Sequence, residues 1–148
     1  MNYIKAQQDI FKTLVNGGRV CRFDVDEQHT FITHDGLRGW IFPNDILMVN
    51  TEKIQTIKPL EITSIIKPEN KLEITLDFKL PASFSKDLLR KFKGDAKNVY
   101  VREAFLKYFQ NACYYQELDK PIAHVVVTET VRGVERPVGI VLPVRIND

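Results

Sequence analysis

A strict alternation of apolar and polar residues in the middle of the chain predicts one long strand. Between Leu72 and Leu80, apolar side chains occupy every second position, and Glu, Thr, Asp or Lys fills each position between them. Successive side chains of a strand point to opposite faces, so this pattern gives the strand one apolar and one polar face. Residues 60–66 form a second apolar run and are predicted to pair with this strand through a turn at 67–71.

Apolar residues at helical spacing predict a helix near each end of the chain, over residues 3–16 and 102–112. The core-facing residues of the first helix are Ile4, Phe11, Leu14 and Val15, with Ile10 at the margin of that face. The core-facing residues of the second helix are Phe105, Phe109 and Ala112. A third, shorter helix is predicted from Ser85, a favourable N-cap, to Gly94, which ends it.

Runs rich in β-branched and aromatic residues predict three strands after each of the two terminal helices. The runs that follow the first helix are residues 19–25, 28–33 and 39–43. The runs that follow the second helix are residues 113–118, 124–130 and 138–146. The last run contains Pro143, which lacks the N–H that a central strand needs, so Pro143 is predicted to lie on a sheet edge or at a bulge.

The two helix-and-strand units end in similar sequences. Residues 39–46 (GWIFPNDI) align with residues 139–146 (GIVLPVRI). In each unit a strand that begins with His is followed by an Arg-Gly pair, Arg38-Gly39 in the first unit and Arg132-Gly133 in the second. This similarity predicts an internal duplication, with chance agreement over so few positions as the alternative. A duplication would make residues 1–148 a single α+β domain, in which two helix-plus-three-strand units build antiparallel sheet backed by helices.

The closing unit also carries a family resemblance. It consists of a short lead-in, a helix with the run Ala104-Phe105-Leu106, and three strands that end in Leu142-Pro-Val-Arg-Ile146. This order of elements, over residues 99–146, resembles the C-terminal part of a bacterial DNA sliding clamp, the β subunit of DNA polymerase III. The chain differs from that family at Val101-Arg102, where an Asn is usual, and at Asn147-Asp148, which extend past the usual tail.

The resemblance implies a non-enzymatic, DNA-clamp-like binding module that acts by self-assembly and by contact with DNA or with a replication or mobile-element protein. One domain of 148 residues is too short for a ring subunit of two or three domains, so a homo-oligomer is expected. Sheet edges, with the Pro143 strand foremost, would pair between copies. The residues predicted to contact a protein partner are Tyr108, Pro143 and Arg145.

Charge leaves DNA binding open. The net charge of +2 is small, whereas phosphate binding needs several cations gathered on one face. The basic segment from Lys86 to Lys97 predicts a phosphate-contacting patch, and the alternative is an ordinary solvated helix face. The clamp comparison implies that Lys5, Lys12, Arg102 and Lys107 on the other two helices join it in a loose, non-specific DNA-binding surface. The residues of this predicted surface are Lys5, Lys12, Lys86, Arg90, Lys91, Lys93, Arg102 and Lys107.

The common phosphate-loop, dinucleotide, zinc-protease and hydrolase motifs are absent from the sequence, so no enzyme, cofactor or metal is predicted. The alternative is a small metal-dependent or thiol hydrolase that uses His residues borne on strands. Its metal version would draw ligands from Asp24, Asp26, Glu27, His29 and His34. Its thiol version would use Cys113 as the nucleophile and His124 as the base.

The sequence also predicts a cytoplasmic protein that does not enter a membrane. Residues 1–9 lack the charged start and apolar run of a secretion signal. No segment reaches the roughly 20 apolar residues that a membrane-spanning helix needs.

Overall fold

The computed structural model describes residues 1–50, 54–56, 70–81, 88–94, 97–117, 120 and 123–146. Its helices are α1 (Tyr3–Val15) and α2 (Glu103–Leu106), with a 3₁₀ turn at Asn44–Ile46. Its strands are β1 (Cys21–Asp24), β2 (His29–Thr33), β3 (Arg38–Pro43), β4 (Gln55–Thr56), β5 (Asn70–Pro81), β6 (Leu88–Lys93), β7 (Asn98–Arg102), β8 (Cys113–Gln116), β9 (Val125–Val131) and β10 (Val134–Val141). No helix among these residues has the length and apolar character to span a membrane.

The described strands form one sheet in the order β4-β1-β2-β3-β10-β9-β8-β5-β6-β7. Neighbouring strands are antiparallel, except that β4 runs parallel to β1. The prediction of an α+β chain with antiparallel sheet backed by helices is therefore confirmed. The long alternating strand is also confirmed as β5, whereas its predicted partner at 60–66 lies outside the described residues.

The final strands of the two units, β3 and β10, meet inside the sheet. Trp40 pairs with Gly139, and Gly39 pairs with Ile140. Outward from this junction the order is β3-β2-β1 on one side and β10-β9-β8 on the other, so both units are laid out alike. The residue-by-residue alignment of 39–46 with 139–146 does not hold, because Trp40 and Ile140 project from opposite faces of the sheet.

The two glycines of this junction each make room for an aromatic ring. A Cβ atom on Gly139 would lie 2.6 Å from the ring of Phe109, and a Cβ atom on Gly39 would lie 2.2 Å from the ring of Phe31. Glycine within a strand often marks such a close approach. Phe109 follows α2 in the chain, so Gly139 fixes how closely the α2 segment can sit on the sheet.

Helix α1 and the α2 segment cover the same face of the sheet, which we call the helix-bearing face. Ile10 of α1 packs with Trp40 in one core cluster. Phe109 lies over Gly139, the strand partner of Trp40, and the cluster around Phe105 continues the same apolar layer. The smaller cluster on the opposite face consists of Phe23, Phe31 and Ile41.

The predicted core-facing side of α1 is wrong for Ile4, Phe11 and Val15, whereas Leu14 is half-buried against the core and Ile10, predicted at the margin, is fully buried. Ile4, Phe11 and Val15 are 65%, 61% and 67% exposed, whereas Ala6, Gln7 and Ile10 are buried. The small Ala6 side chain lets the helix approach the sheet, and the Gln7 amide is satisfied by hydrogen bonds to the loop after β3. These tertiary contacts decide the orientation, although the opposite side of the helix carries larger apolar residues.

Two other predicted helices also differ from the structure. The segment predicted to be a helix between Ser85 and Gly94 contains β6, which pairs with both β5 and β7, while residues 85–87 lie outside the described part. The helix predicted over 102–112 is shortened to α2. The N–H of Gln110 donates to the buried Glu129 carboxylate at 2.7 Å, and Asn111 takes a positive φ of 48°, so the helix does not continue.

The predicted edge position of the Pro143 strand is also wrong. Strand β10 lies between β3 and β9 and ends at Val141, before Pro143. On either side of the proline, Leu142 N–H donates to Leu37 O at 2.8 Å and Val144 N–H donates to Tyr100 O at 2.7 Å. The segment after β10 therefore reaches across to β7, and the proline sits where the chain changes partners and needs no N–H donor.

Candidate functional site

The helix-bearing face contains a partly buried polar network that joins α1 to the sheet and to the α2 segment. Its central contact links Tyr108, which is fully buried, to Asp9 of α1, with the phenol donating to the carboxylate. Burial, followed by this hydrogen bond, raises the pKa of Tyr108, so the hydroxyl keeps its proton. The Asn2 N–H also donates to Tyr108 O at 2.7 Å, which adds a backbone contact between the two helical segments.

Arg38 brings a positive charge into the same network. Its Nε lies 3.3 Å from an Asp35 carboxylate oxygen and donates to His34 Nε2 at 3.2 Å. The guanidinium carbon lies 4.9 Å from the ring centroid of Phe105 and 5.5 Å from that of Tyr108. A cation held over aromatic faces in a partly buried site is stabilised by the ring quadrupoles. Arg38 therefore contacts both the aromatic side chains of the α2 segment and the turn between β2 and β3, which carries His34 and Asp35.

Hydrogen bonds assign a neutral tautomer to His34. The Thr13 hydroxyl donates to Asp9 O at 3.0 Å and lies 2.9 Å from His34 Nδ1. Because the single hydroxyl proton is used on Asp9 O, Nδ1 must carry the proton that joins the ring to Thr13, while Nε2 accepts from Arg38. Burial lowers the pKa of His34, and this effect exceeds the opposing one of Asp35. The ring also stacks on Trp40 with centroids 5.4 Å apart.

The members of the network bond mainly to one another, which is the pattern of a group that holds elements in place. Among the described residues, one buried side-chain polar atom, Trp40 Nε1, lacks a hydrogen-bond partner. Sequence reasoning missed Asp9, His34 and Arg38 as a group because they are far apart in the chain. It also assigned Tyr108 to the surface, which is wrong, although its spacing of three from Phe105 was a signal that both face the core.

The outer side of α1 presents exposed apolar side chains that continue onto a neighbouring loop. Ile4, Phe11 and Val15 lie along one line of the helix, and Met48 in the loop after β3 is 80% exposed. Gln7 holds this loop in place, because its Nε2 donates to Ile46 O at 3.1 Å and its Oε1 accepts from Met48 N–H at 2.6 Å. We call Ile4, Phe11, Val15, Ile46 and Met48 the apolar patch.

Three lysines line one side of the apolar patch. Lys5 and Lys12 lie on the side of α1 that carries Asp9, because residues four and three positions apart are neighbours on a helix. Lys107 lies across from them, with Nζ 5.2 Å from the ring of Tyr108, whose hydroxyl bonds Asp9. Lys12 and Lys107 are exposed and Lys5 is half-buried. We call these three lysines the basic edge.

The remaining cations predicted to bind nucleic acid do not all join the basic edge. Arg102 lies near α2, with its guanidinium 5.6 Å from the Phe105 ring centroid. Arg90 lies on β6, 3.9 Å from a Glu103 carboxylate oxygen, and the adjacent Lys91 points to the opposite face of that strand. Lys93 is exposed at the end of β6, whereas Lys86 lies outside the described residues. The structure thus brings Lys5, Lys12 and Lys107 together and disperses the others.

The residues of the predicted partner surface are also dispersed. Tyr108 is buried in the network, Pro143 is half-buried between β10 and the β7 contact, and Arg145 is exposed in the segment that follows.

The two hydrolase arrangements are not assembled. His29 begins β2 and bonds Asp26 at 2.9 Å, whereas His34 follows the other end of β2 and faces α1. Among the described residues, no group of three His, Cys, Asp or Glu side chains is placed to hold a metal. Cys113 pairs with Thr128 at one end of the β8–β9 ladder, while His124 lies beyond the other end, so the thiol and imidazole are several residues apart along the strands.

The described part of the chain also contains an open polar cleft of about 470 Å³ near the start of β2. Its ionisable lining residues are Glu27, His29, Asp45 and Arg136. Hydrogen bonds from the Gln28 N–H and from His29 lower the pKa of Asp26 beside this cleft. No spacing of residues in the sequence indicates this cleft, because Arg136 reaches it from β10.

Comparisons with protein-family models, with curated proteins and with solved structures found no match to this chain.

Proposed function

We propose that the chain is a non-enzymatic binding module, similar in build to one sliding-clamp domain, whose helix-bearing face holds an anionic macromolecule. The observation that carries this proposal is the basic edge, where Lys5, Lys12 and Lys107 meet beside the contact between α1 and the α2 segment. Several cations on one face are what a polyanion needs, whereas dispersed cations give little binding. DNA and a replication or mobile-element protein are the two partner classes that the clamp resemblance suggests.

The layout of the two units supports the comparison with a clamp domain. Their last strands meet inside the sheet, their other strands follow outward in matching order, and both helical segments cover the same face. In a scaffold of this kind the helices form one shared surface. The partly buried network beneath that surface links α1 to the α2 segment, so the backbone positions that carry the lysines are set before a partner binds.

Self-association stays a prediction, but it requires a different surface from the one suggested by the sequence. Strand β10 is enclosed by β3 and β9, so its edge is not open to a second copy. The outer strand β7 is also partly covered, because Tyr100 bridges Val144. Among the described strands, the short parallel strand β4 is the other sheet edge, so copies that use the described residues would meet there or through side chains. Light scattering over a wide concentration range measures this directly, and a strict monomer would exclude ring assembly.

The binding proposal is tested by charge reversal at the basic edge. We expect the protein to bind labelled duplex DNA or labelled poly-L-glutamate in fluorescence anisotropy, and to lose affinity about tenfold or more in the variant Lys5→Glu/Lys12→Glu/Lys107→Glu. Raising the salt from about 50 mM to about 200 mM should weaken binding, with a logarithmic slope of at most roughly 2.7 for three phosphate contacts.

The matched control reverses three exposed cations that lie elsewhere, Lys93, Lys97 and Arg145, and so changes the net charge by the same amount. An effect of the net charge alone would weaken binding equally in both variants. Equal losses, or the absence of binding to both polyanions by the unmodified chain, would contradict the proposal.

A further inference from the structure

We infer that the apolar patch and the basic edge together bind an amphipathic helix of a partner protein that carries acidic residues along one side. This inference rests on the proposed function and names the partner class for the same face. Three features of the described residues carry it: the geometry of the exposed apolar residues on α1, the fixed position of the adjoining loop, and the placement of lysines on one side only.

The apolar residues of α1 form a line suited to another helix. Ile4, Phe11 and Val15 recur at intervals of seven and four, which places them on one side of the helix, and each is more than half exposed. With a rise of 1.5 Å per residue, the line from Ile4 to Val15 is about 16 Å long. This length corresponds to about three turns of a partner helix, which would cover the line by burying its own apolar side against it.

The neighbouring loop widens this line on the side away from the lysines. Met48 is 80% exposed, and its backbone N–H is bonded to the Gln7 side chain of α1. Gln7 is buried and bonds the loop twice, so Ile46 and Met48 stay beside α1. A surface that is already ordered loses less conformational entropy on binding, and a methionine adapts its shape to different apolar partners.

The charges select among possible occupants of this surface. Lys5, Lys12 and Lys107 border the apolar patch on one side. A second copy that packed its α1 antiparallel to this one over the same line would place both lysine rows on one side of the interface, with Lys12 of one chain beside Lys5 of the other, which is repulsive. DNA would satisfy the lysines but leave Phe11 and Val15 uncovered. A helix with an apolar side and an acidic border satisfies both parts of the surface, so we commit to this occupant.

The probe for the test is a fluorescein-labelled synthetic peptide of about four helical turns, with leucine at helical spacing and glutamate along one side. Its control is a scrambled peptide of the same composition. We expect the designed peptide to bind in fluorescence anisotropy and the scrambled peptide to bind about tenfold more weakly or not at all.

Three variants separate the parts of the surface. Phe11→Ser and Lys12→Glu should each weaken peptide binding about tenfold, because the first removes an exposed apolar contact and the second reverses a charge at the border. Val131→Ser is the matched control, since Val131 is 55% exposed but lies at the end of β9. Far-UV circular dichroism checks that all three variants keep the fold. Equal binding by the unmodified chain and Phe11→Ser would overturn the inference.

Other occupants appear as distinct outcomes of the same experiment. Duplex DNA or phosphatidylglycerol vesicles that bind in a Phe11-dependent manner, while the peptide does not, would overturn the helix assignment. A dimer in light scattering that Phe11→Ser converts to monomer would assign the surface to a second copy instead. If DNA binding depends on the basic edge but no peptide binds, the proposed function stands and this inference fails. If no polyanion and no peptide binds, both fail.

Discussion

Replacing Tyr108 by Phe tests the polar network that holds α1 to the rest of the helix-bearing face. The substitution removes one hydroxyl and keeps the ring, so the packing of this fully buried residue on Trp40 is preserved. What is lost is the hydrogen bond to the Asp9 carboxylate. A hydrogen bond to a charged partner contributes roughly 1.5–3 kcal/mol, and its removal leaves a half-buried carboxylate without this donor.

We therefore expect Tyr108→Phe to lower the free energy of unfolding by about 2 kcal/mol, which corresponds to a fall in Tm of about 4–8 °C in a chain of this size. The matched control is Tyr115→Phe. Tyr115 also donates to a carboxylate, that of Glu135 at 2.5 Å, and this bond raises the pKa of Tyr115 to about 12, but the contact is at the surface. Its loss should cost no more than about 0.5 kcal/mol.

Urea unfolding followed by circular dichroism measures both variants, and a double-mutant cycle with Asp9→Ala isolates the pair. We expect a coupling energy of about 1–2 kcal/mol between Tyr108 and Asp9. A loss below about 0.5 kcal/mol in Tyr108→Phe would refute the reasoning, because it would mean that water replaces the phenol at Asp9 without cost. Equal losses in the two Tyr variants would refute the role assigned to burial.

Two further predictions concern α1 and the turn after β2. Ile10→Ala should lower the free energy of unfolding by about 2–5 kcal/mol, because Ile10 is fully buried. Ile4→Ala should change it by less than about 0.5 kcal/mol, because Ile4 is 65% exposed. The reverse order in urea unfolding would show that α1 packs through its other side. Because burial lowers the pKa of His34, the unfolded chain binds a proton at a higher pH than the folded chain. The contribution of His34 to the free energy of unfolding is therefore fully present above pH 6.5, the pKa of the unfolded chain. It is lost as the pH falls from there toward the lowered pKa of the folded chain, by at most about 1.4 kcal/mol per pH unit. His34→Gln should reduce this slope in unfolding curves measured across that range, and an unchanged slope would show that other groups cause it.

Periodicity in the sequence was sufficient to place two of the strands. Strand β5 contains the alternating run from Leu72 to Leu80, and β9 contains its run of β-branched residues. In such segments the local pattern and the tertiary environment favour the same structure. The bounds of α1 were also predicted well, since Asn2 caps the helix and Gly17 takes the positive φ that ends it.

Sequence reasoning was wrong where distant contacts outweigh local preference. The segment before Gly94 has helical capping signals, yet β6 is held by neighbours on both sides. The side of α1 that faces the core is decided by Gln7 and by its two hydrogen bonds to the loop after β3. The candidate site depends on residues such as Asp9 and Tyr108, which are 99 positions apart, and no spacing rule connects them.

The junction of β3 with β10 has a consequence for how the chain reaches its native state. Strand β3 emerges early in synthesis, but its partner across Trp40 and Gly139 emerges about a hundred residues later. A contact so distant in sequence carries a large loop-closure cost before it contributes any stability, which slows folding. Until β10 has been synthesised, the edge of β3 that it will cover is exposed. During that time the exposed edge can pair with strands of other chains unless the rest of the polypeptide or a chaperone covers it.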